Sequence, residues 1–373
     1  MKRAAAALLC AALLLTLAAC GEAPSPAELP EPVSAATPAP VSTPEPTPEP
    51  TPEPTPSSVT LTLAGDLVMH TPLNDEALTP EGEYDYAPIF EDVAHYVSDA
   101  DWALCCFEGA FTGDGKWTGY PLFHVPDGLA YSLKEIGFDQ VNMASNHAMD
   151  AWHEGIVRTL DVLDDAGLEH VGAYRTQAER DENNGILVEE LNGISIAFLN
   201  YTYGTNGIPV PAGVEVNLID TARMAADLAA ARRGAPDCVA VCIHWGNEYE
   251  RRENAVQRHL AQFLRRHGAD LVVGSHPHVV QPFETDSSHV VLYSLGNLVS
   301  GQRRRYTDGG LAATVEAVRH PEGRMTYRLE TTPVWVSVPG YRILTPEAAD
   351  TMTLPAAYGI FRADLDALPG NGL

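Results

Sequence analysis

The chain has 373 residues, room for one large domain or two, and 45% of them are hydrophobic, enough for a sizeable core. Its formal net charge of -27 argues against nucleic acid as a partner, because phosphate binding needs a basic face. The same charge argues against loose adhesion to anionic lipid. A small anionic substrate is compatible with it if a metal ion supplies positive charge locally.

The first twenty residues have the pattern of an export signal. A charged start, Met1-Lys2-Arg3, precedes an apolar run at residues 4–15 that is too short to span a bilayer comfortably. Leu17-Ala18-Ala19-Cys20 then resembles the bacterial lipobox, in which the signal is cut before the cysteine and the thiol carries lipid. The alternative is an ordinary secretory signal in which Cys20 is incidental. Residues 1–20 are therefore predicted to be a lipoprotein signal peptide, with the protein lipid-anchored at the extracellular face of the cell membrane.

Residues 21–57 have the composition of a disordered stalk. They contain 13 of the 29 prolines, six glutamates and no lysine or arginine. Such a segment cannot bury apolar area and stays extended, at roughly 3 Å per residue and on the order of 100 Å in total. We expect it to lift a folded domain, residues 58–373, away from a membrane.

Apolar and amphipathic segments alternate along this domain. Strands are predicted at residues 59–64, 101–107, 138–144, 168–171, 185–190, 194–200, 238–243, 269–273, 289–294, 310–319 and 324–338. Helices are predicted at residues 86–97, 129–136, 152–166, 221–233 and 255–267. The pair Asn192-Gly193 is a strong hairpin signal. The alternation predicts a layered α/β domain, and the hairpins in its second half predict mixed sheets.

Ligand-type side chains follow five of the predicted strands, where α/β sheets place their ligands. These side chains are Asp66, Glu108, Asn146, His147, His244, His276 and His278. Mixed oxygen and imidazole ligands suit Mn, Fe or Zn, and the sequence does not choose among them. Four cysteines of the domain, Cys105, Cys106, Cys238 and Cys242, are interpreted as small buried hydrophobes, although an exported protein allows a disulfide.

The two histidines of Gly274-Ser275-His276-Pro277-His278 are the most suggestive pair. Gly274 is expected to end the preceding strand and let the backbone turn. Positions i and i+2 point the same way in extended geometry, and Pro277 biases His276 toward an extended or turn shape. Two solvent-facing loop histidines are the alternative.

The segments around these residues together resemble the poly-γ-glutamate capsule synthesis (CapA-like) family over about residues 59–300. They are Gly65-Asp66, Phe107-Glu108-Gly109, Gly137-Phe138-Asp139, Ser145-Asn146-His147-Ala148-Met149-Asp150, His244-Trp245-Gly246, Gly274-Ser275-His276-Pro277-His278 and Tyr293-Ser294-Leu295-Gly296-Asn297. That family is similar in turn to calcineurin-like metallophosphoesterases, which have two sheets between helical layers and a dinuclear metal site. The resemblance therefore implies a four-layer α-β-β-α sandwich of metallophosphoesterase-like fold.

The resemblance also implies two divalent metal ions and one general acid, His147. The implied ligands are Asp66 and His278 on the first ion, Asn146, His244 and His276 on the second, and Glu108 as the bridging carboxylate. Three features depart from the pattern. Leu67-Val68 follows Asp66 where phosphoesterases have Asp-x-His, so that His70 either replaces the missing imidazole or does not. Glu108 stands where phosphoesterases carry Asp, and Ala151-Trp152 follows Asp150 where the family has Tyr-Gly.

Two further groups each have two interpretations. Asp150 is expected to be the N-cap of the helix that follows, and the alternative is that it orients His147. The cationic run Arg303-Arg304-Arg305 is expected to be a solvated loop, and the alternative is that it grips an anionic chain.

Two classes of function follow from the resemblance. The first is a metal-dependent hydrolase or transferase that acts at the cell surface on a phosphoester or an anionic polymer, with capsule-synthesis membrane proteins as partners. The second is a non-catalytic envelope component that binds or helps export an anionic polymer.

Overall fold

A computed structural model of the protein describes residues 55–353 and 355–368. The predicted signal peptide, its anchor Cys20 and nearly all of the predicted stalk lie outside the described residues. The first strand begins at Ser57, one residue before the expected start of the domain at residue 58. None of the described helices combines the length and the apolar character needed to cross a membrane.

The described chain contains strands and helices in alternation. The strands are β1 (Ser57–Val68), β2 (Trp102–Phe107), β3 (Ala110–Phe111), β4 (His124–Val125), β5 (Gln140–Asn142), β6 (Glu169–Val171), β7 (Ala173–Tyr174), β8 (Leu187–Leu191), β9 (Ile194–Thr202), β10 (Glu215–Val216), β11 (Cys238–His244), β12 (Leu271–Ser275), β13 (Phe283–Asp286), β14 (His289–Leu292), β15 (Asn297–Ser300), β16 (Gly309–Arg319), β17 (Met325–Val336) and β18 (Ile343–Leu344). The helices are α1 (Thr71–Ala77), α2 (Ala87–Phe90), α3 (Ala94–Ser98), α4 (Gly128–Ile136), α5 (Trp152–Ala166), α6 (Gln177–Glu182), α7 (Thr221–Arg233), α8 (Ala255–Arg266), α9 (Pro346–Asp350) and α10 (Ala356–Asp366).

The first large sheet has the strand order β18-β17-β16-β1-β2-β5-β6, and β15 pairs with the end of β1. Strands β1, β2, β5 and β6 are parallel neighbours, while β16, β17 and β18 join antiparallel. The carboxyl ends of β1, β2 and β5 therefore lie side by side at one edge of a mixed sheet.

The second large sheet has the order β13-β14-β12-β11-β9-β8. Strands β9, β11, β12 and β14 are parallel, and the two outer strands are antiparallel to their neighbours. Asn192 and Gly193 connect β8 to β9 with φ values of 52° and 75°. Both values fit the left-handed two-residue turn that an Asn-Gly pair favours, and the predicted hairpin is confirmed.

Three apolar clusters separate four layers. One lies between the first sheet and its helices, where Leu133 of α4 and Leu160 of α5 join Leu67 and Val141 of the sheet. A second lies between the two sheets and contains Leu61 and Phe198 among others. The third packs Leu228 of α7 and Leu264 of α8 against the outer face of the second sheet. The expected four-layer α-β-β-α sandwich with mixed sheets is confirmed.

The main local difference concerns the helix predicted at residues 86–97. The chain forms two short helices there, α2 and α3, separated by a turn. The residues that suggested one helix, Ile89, Phe90, Val93 and Val97, are all buried nonetheless. Their spacing marks a buried face, and a turn can keep that face buried as well as a helix does.

Candidate metal centre

The predicted ligands come from the carboxyl ends of parallel strands in both sheets. Asp66 lies near the end of β1, and Glu108 and Asn146 follow β2 and β5 of the same sheet. From the second sheet, His244 ends β11, and the pair His276 and His278 follows β12. All six residues are buried. Because the two sheets pack face to face, these strand ends converge at a single edge of the sandwich.

Asp66, Glu108 and His278 form one group with ligand atoms in reach of a single ion. Their ligand atoms lie within 4.8 Å of one another. His278 Nδ1 is 3.4 Å from Asp66 Oδ2 and 3.9 Å from Glu108 Oε1. The backbone N–H of His276 donates to Asp66 Oδ2 at 3.1 Å and so helps to hold that carboxylate.

Asn146, His244 and His276 form the adjoining part of the cluster. Asn146 Oδ1 is 2.8 Å from His244 Nε2, and the same nitrogen is 3.8 Å from Glu108 Oε1. The rings of His244 and His276 are 4.8 Å apart, and His276 is 5.9 Å from His278. Glu108 thus lies between the two groups.

The polar atoms at the centre of the cluster fit a divalent ion. Among the described residues, neither carboxylate oxygen of Glu108 has a hydrogen-bond partner, and neither does Nδ1 of His276, although all three atoms are buried. A buried polar group without a partner is costly, and such groups are rare in folded proteins. A metal ion satisfies lone pairs of this kind, and mixed oxygen and imidazole donors suit a divalent transition metal.

Burial also sets the charge state of the imidazoles. It lowers the pKa of His276 to about 3 and that of His244 well below its usual value, with neighbouring histidines adding to the effect. Both rings are therefore neutral and keep a lone pair for a ligand bond. Burial raises the pKa of Glu108 well above its usual range. Burial also acts to lower the pKa of His278, but the nearby carboxylates of Glu108 and Asp66 have the larger effect and raise that pKa to about 9.

Neighbouring polar side chains contact two of the rings. Ser275 Oγ lies 2.8 Å from His244 Nδ1, on the opposite side of the ring from Nε2, and a contact of this kind fixes the rotation of an imidazole at a metal site. Asn297 Oδ1 lies 3.1 Å from His278 Nδ1, the same nitrogen that faces Asp66 and Glu108.

The backbone of the histidine pair differs from the expected one. His276 and His278 have φ values of 95° and 58°, so both are left-handed rather than extended. Gly274 does not end its strand, since it pairs with Ile243 inside β12. A Cβ at Gly274 would lie 2.1 Å from the carbonyl oxygen of Tyr293 and 2.6 Å from Trp245 Nε1. Glycine is needed here for close packing, and the turn is made by the histidines themselves.

His147 faces the cluster from the first sheet and is held by Asp150. Its Nδ1 is 2.8 Å from Asp150 Oδ2, which also accepts a hydrogen bond from the Phe123 backbone N–H at 2.6 Å. The helix α5 has Ala151 as its N-cap, with no side-chain cap bond. The expectation that Asp150 caps this helix is therefore wrong, and the alternative, that it orients His147, describes the structure.

His70 lies near the cluster without joining a ligand group in the described part of the chain. Its Nδ1 accepts a hydrogen bond from the Gly301 backbone N–H at 3.2 Å, and its ring is 5.0 Å from Phe123. Phe123 in turn contacts His147, with ring centroids 4.7 Å apart. His70 therefore helps to build the wall of the site beside His147.

Several neighbours of the cluster had not been predicted from the sequence. Cys106 Sγ lies 3.6 Å from His244 Nδ1, but burial raises the pKa of this thiol, so it stays neutral. Asn206 bonds Asn146 at 3.2 Å, and Glu248 can reach the same ion as His276 and His278. Cys106 lies within β2, where its type and burial indicate core packing. Asn206 and Glu248 are marked only by a position in a loop after a strand, and that signal is too common to select them.

The geometry is that of a buried cluster of oxygen and imidazole side chains, able to hold a divalent metal, at the meeting edge of two sheets. Residues 60–302 match the family model described as bacterial capsule synthesis protein PGA_cap. The chain therefore belongs to this capsule synthesis family, as the resemblance implied.

Two curated relatives carry the same description. The capsule biosynthesis protein CapA of Bacillus anthracis is 28% identical over 254 residues, covering 65% of this chain and 60% of the relative. The PGA biosynthesis protein CapA of Bacillus subtilis (strain 168) is 34% identical over 214 residues, covering 54% and 52%. The chain thus aligns with only somewhat more than half the length of either relative.

A solved structure with some likeness is described as a novel phosphatase of Mycoplasma pneumoniae. The likeness covers 79% of this chain and 98% of that one, at 13% sequence identity and a TM-score of 0.49.

Proposed function

We propose that the protein is a metal-dependent hydrolase or transferase of the capsule pathway, acting on a phosphoester or on an anionic polymer at the cell surface. The observation that carries this proposal is Glu108, whose two buried carboxylate oxygens lie among Asp66, His244 and His278 and have no hydrogen-bond partner among the described residues. We propose two divalent ions there, Mn, Fe or Zn, with Asp66 and His278 on one and Asn146, His244 and His276 on the other.

The metal ions and His147 would have separate roles in the reaction. Divalent ions in such sites supply Lewis-acid polarisation of the reacting group and lower the pKa of a bound water. His147 would donate a proton to the leaving group from Nε2 as the doubly protonated ring, with Asp150 accepting a hydrogen bond from its Nδ1–H. Asn206 Nδ2 lies 3.4 Å from His147 Nε2, so it is a neighbour of the proposed acid.

Two substitutions separate the ligand role from the acid role. His276→Ala removes a ligand and is expected to abolish bound metal, measured by elemental analysis, together with activity. His147→Ala is expected to keep the metal and to reduce turnover of a phosphodiester substrate by about 10²–10⁴, the usual contribution of a general acid. His289→Ala, a half-exposed histidine of β14, is the matched control and should change neither.

The result decides between the two classes of function. Metal bound by the wild-type protein and lost in His276→Ala, with turnover that depends on His147, supports the enzyme. Metal that is retained by His276→Ala would contradict the ligand set. Bound metal with no turnover on phosphoesters or anionic polymers would favour the second candidate, a component that binds or helps export the polymer.

One observation favours that second candidate. The residues after Asp66 are Leu67 and Val68, and both are buried in the core. His70, the nearest imidazole along the chain, has its Nδ1 bonded to Gly301. The Asp66 side of the cluster thus has His278 as its imidazole, which is a weaker ligand set than the Asp-x-His pattern would provide.

We further propose that Cys20 anchors the protein as a lipoprotein after cleavage of residues 1–20, with residues 21–57 as a spacer. The support is the pattern of Leu17-Ala18-Ala19-Cys20 and the proline-rich composition behind it. Cys20→Ser should release the protein from membranes or leave it unprocessed, measured by fractionation and lipid labelling. Unchanged lipid labelling in this variant would rule out the anchor.

A further inference from the structure

The loop after β15 is tied to the metal cluster at both ends. We call residues 301–306 the arginine loop. At its start, the Gly301 backbone N–H donates to His70. Behind it, Asn297, which contacts His278 through Oδ1, donates through Nδ2 to the Thr307 carbonyl at 2.8 Å. The position of the loop is therefore set by groups that also set the cluster.

The three arginines of this loop have different partners. Arg305 forms an ion pair with Asp364 of α10, with Nη2 2.8 Å from Oδ1. Within the described residues, neither Arg303 nor Arg304 forms an ion pair with a carboxylate. Arg303 instead donates to the carbonyls of Ser300 and Gln302, at 3.1 and 2.6 Å. The loop thus presents two exposed cations without counter-charges in a protein of net charge -27.

Arg304 is held against Tyr249, whose ring neighbours the cluster. Its guanidinium carbon lies 4.2 Å from the ring centroid of Tyr249, a cation–π contact. The Tyr249 ring is itself 6.1 Å from the ring of His278. The guanidinium is therefore separated from a proposed metal ligand by one aromatic ring. Its stacking on that ring leaves the planar N–H edge free to bind a carboxylate or phosphate.

The acidic residue nearest this arrangement is Glu248, which precedes Tyr249. Its ligand atom lies within 4.8 Å of those of His276 and His278, and in the described part of the chain it forms no ion pair with Arg304. Fully exposed ion pairs are weak, partly because both side chains lose conformational entropy when they pair. A guanidinium already held against a ring has lost part of this entropy, so it binds an anion with a smaller further loss.

We propose that Arg304, assisted by Arg303, forms a subsite for a second anionic group of the substrate, next to the group that reaches the metal cluster. The ligand class is a chain with repeated carboxylates or phosphates rather than a small monoanion. This inference rests on the proposed function for the position of the first group, and it assigns the arginine loop to substrate selection.

The test measures binding and not turnover, so that it does not depend on catalysis. Fluorescence anisotropy is recorded with a labelled γ-linked glutamate oligomer, with a labelled polyphosphate oligomer and with labelled monomeric glutamate, in the presence of Mn²⁺. Arg304→Ala is compared with wild type and with Arg324→Ala, an exposed arginine of the β16–β17 turn that pairs with Glu322. Thermal melts check that both variants fold.

We expect Arg304→Ala to weaken binding of one of the oligomers about tenfold, with Arg324→Ala within twofold of wild type and no change for the monomer. The oligomer that responds identifies the anion as carboxylate or phosphate. Equal losses in Arg304→Ala and Arg324→Ala would overturn the proposal, because they would show diffuse electrostatic attraction. Wild-type affinity for both oligomers in Arg304→Ala would overturn it as well.

A third variant separates this inference from the proposed function. His276→Ala removes a proposed metal ligand and leaves the arginine loop intact. If its residual oligomer binding still falls when Arg304→Ala is added, the subsite stands even where metal chemistry fails. If the double variant binds as His276→Ala alone, Arg304 contributes to binding only through the metal site, and a separate anion subsite is overturned.

Discussion

Glu108 offers a substitution that should stabilise the metal-free protein while destroying the site. The residue is fully buried, both carboxylate oxygens lack hydrogen-bond partners in the described chain, and burial raises its pKa. A buried polar group without a partner costs about 1–3 kcal/mol. Glu108→Leu removes that cost, and His278 keeps Asp66 at 3.4 Å as its counter-charge. We therefore expect the free energy of unfolding in chelator to rise by about 1–3 kcal/mol.

Thermal melts in EDTA and in excess Mn²⁺ measure both effects. A protein of this size shifts its melting temperature by roughly 2 °C per kcal/mol, so Glu108→Leu should melt about 2–6 °C above wild type in EDTA. Wild type should gain about 2.7 kcal/mol when the free metal is at 100 times its dissociation constant. The variant should gain nothing, because the proposed bridging carboxylate is gone.

A second buried carboxylate provides the control. Asp227 is also buried, but it accepts a hydrogen bond from the Tyr201 hydroxyl at 2.9 Å and pairs with Arg180. Asp227→Leu removes the close partner of that buried guanidinium and leaves Asp181 at 4.0 Å, so it should destabilise the protein by about 3–5 kcal/mol. If Glu108→Leu also lowered the melting temperature in EDTA, the carboxylate would be stabilising the metal-free fold. The inference that the Glu108 carboxylate is a metal ligand would then be wrong.

Four other changes test the fold. Gly274→Ala should destabilise by about 1–3 kcal/mol in denaturant unfolding, because its Cβ would lie 2.1 Å from the Tyr293 carbonyl. Gly359→Ala on exposed α10 has open space and should stabilise by up to about 1 kcal/mol. Asn254→Ala removes the capping box of α8 and should cost about 1 kcal/mol. Deleting residues 21–57 should leave the melting temperature of the domain within error, and a drop of several degrees would mean that the segment packs on it.

The sequence predicted the strand ends of the site well, because two independent signals coincide there. An apolar run marks a buried strand, and the first ligand-type residue after it marks the carboxyl end. This reasoning located Glu108 after β2, His244 at the end of β11 and His276 after β12. Parallel pairing of β11 with β12 then brings the last two together. The roles of these residues as ligands, and of His147 as an acid, stay predictions.

Predictions from local sequence preferences were wrong where residues distant in the chain determine the contacts of a side chain. Asp150 has the residue type and the position of an N-cap, but the Phe123 N–H and His147 both bind its carboxylate. Phe123 is far away in sequence, so no local pattern announces the contact. The loop residues Asn206 and Glu248 were not predicted for the same reason. Each reaches the site across a tertiary contact that only the packed sandwich creates.

The cluster combines features that each disfavour the folded state of the metal-free chain. His276 and His278 adopt left-handed backbone conformations, which cost of order 1–3 kcal/mol each for residues other than glycine. The carboxylate of Glu108, which has no hydrogen-bond partner in the part of the chain that the structure describes, adds a further penalty. A sequence optimised for stability alone would place glycine at the two histidines and an apolar residue at Glu108. The three apolar clusters hold the arrangement in place, and a divalent ion would relieve the electrostatic part of its cost. The strained backbone and the buried carboxylate therefore lie where metal binding would offset their free-energy cost. This arrangement is expected of a site selected for binding rather than for stability.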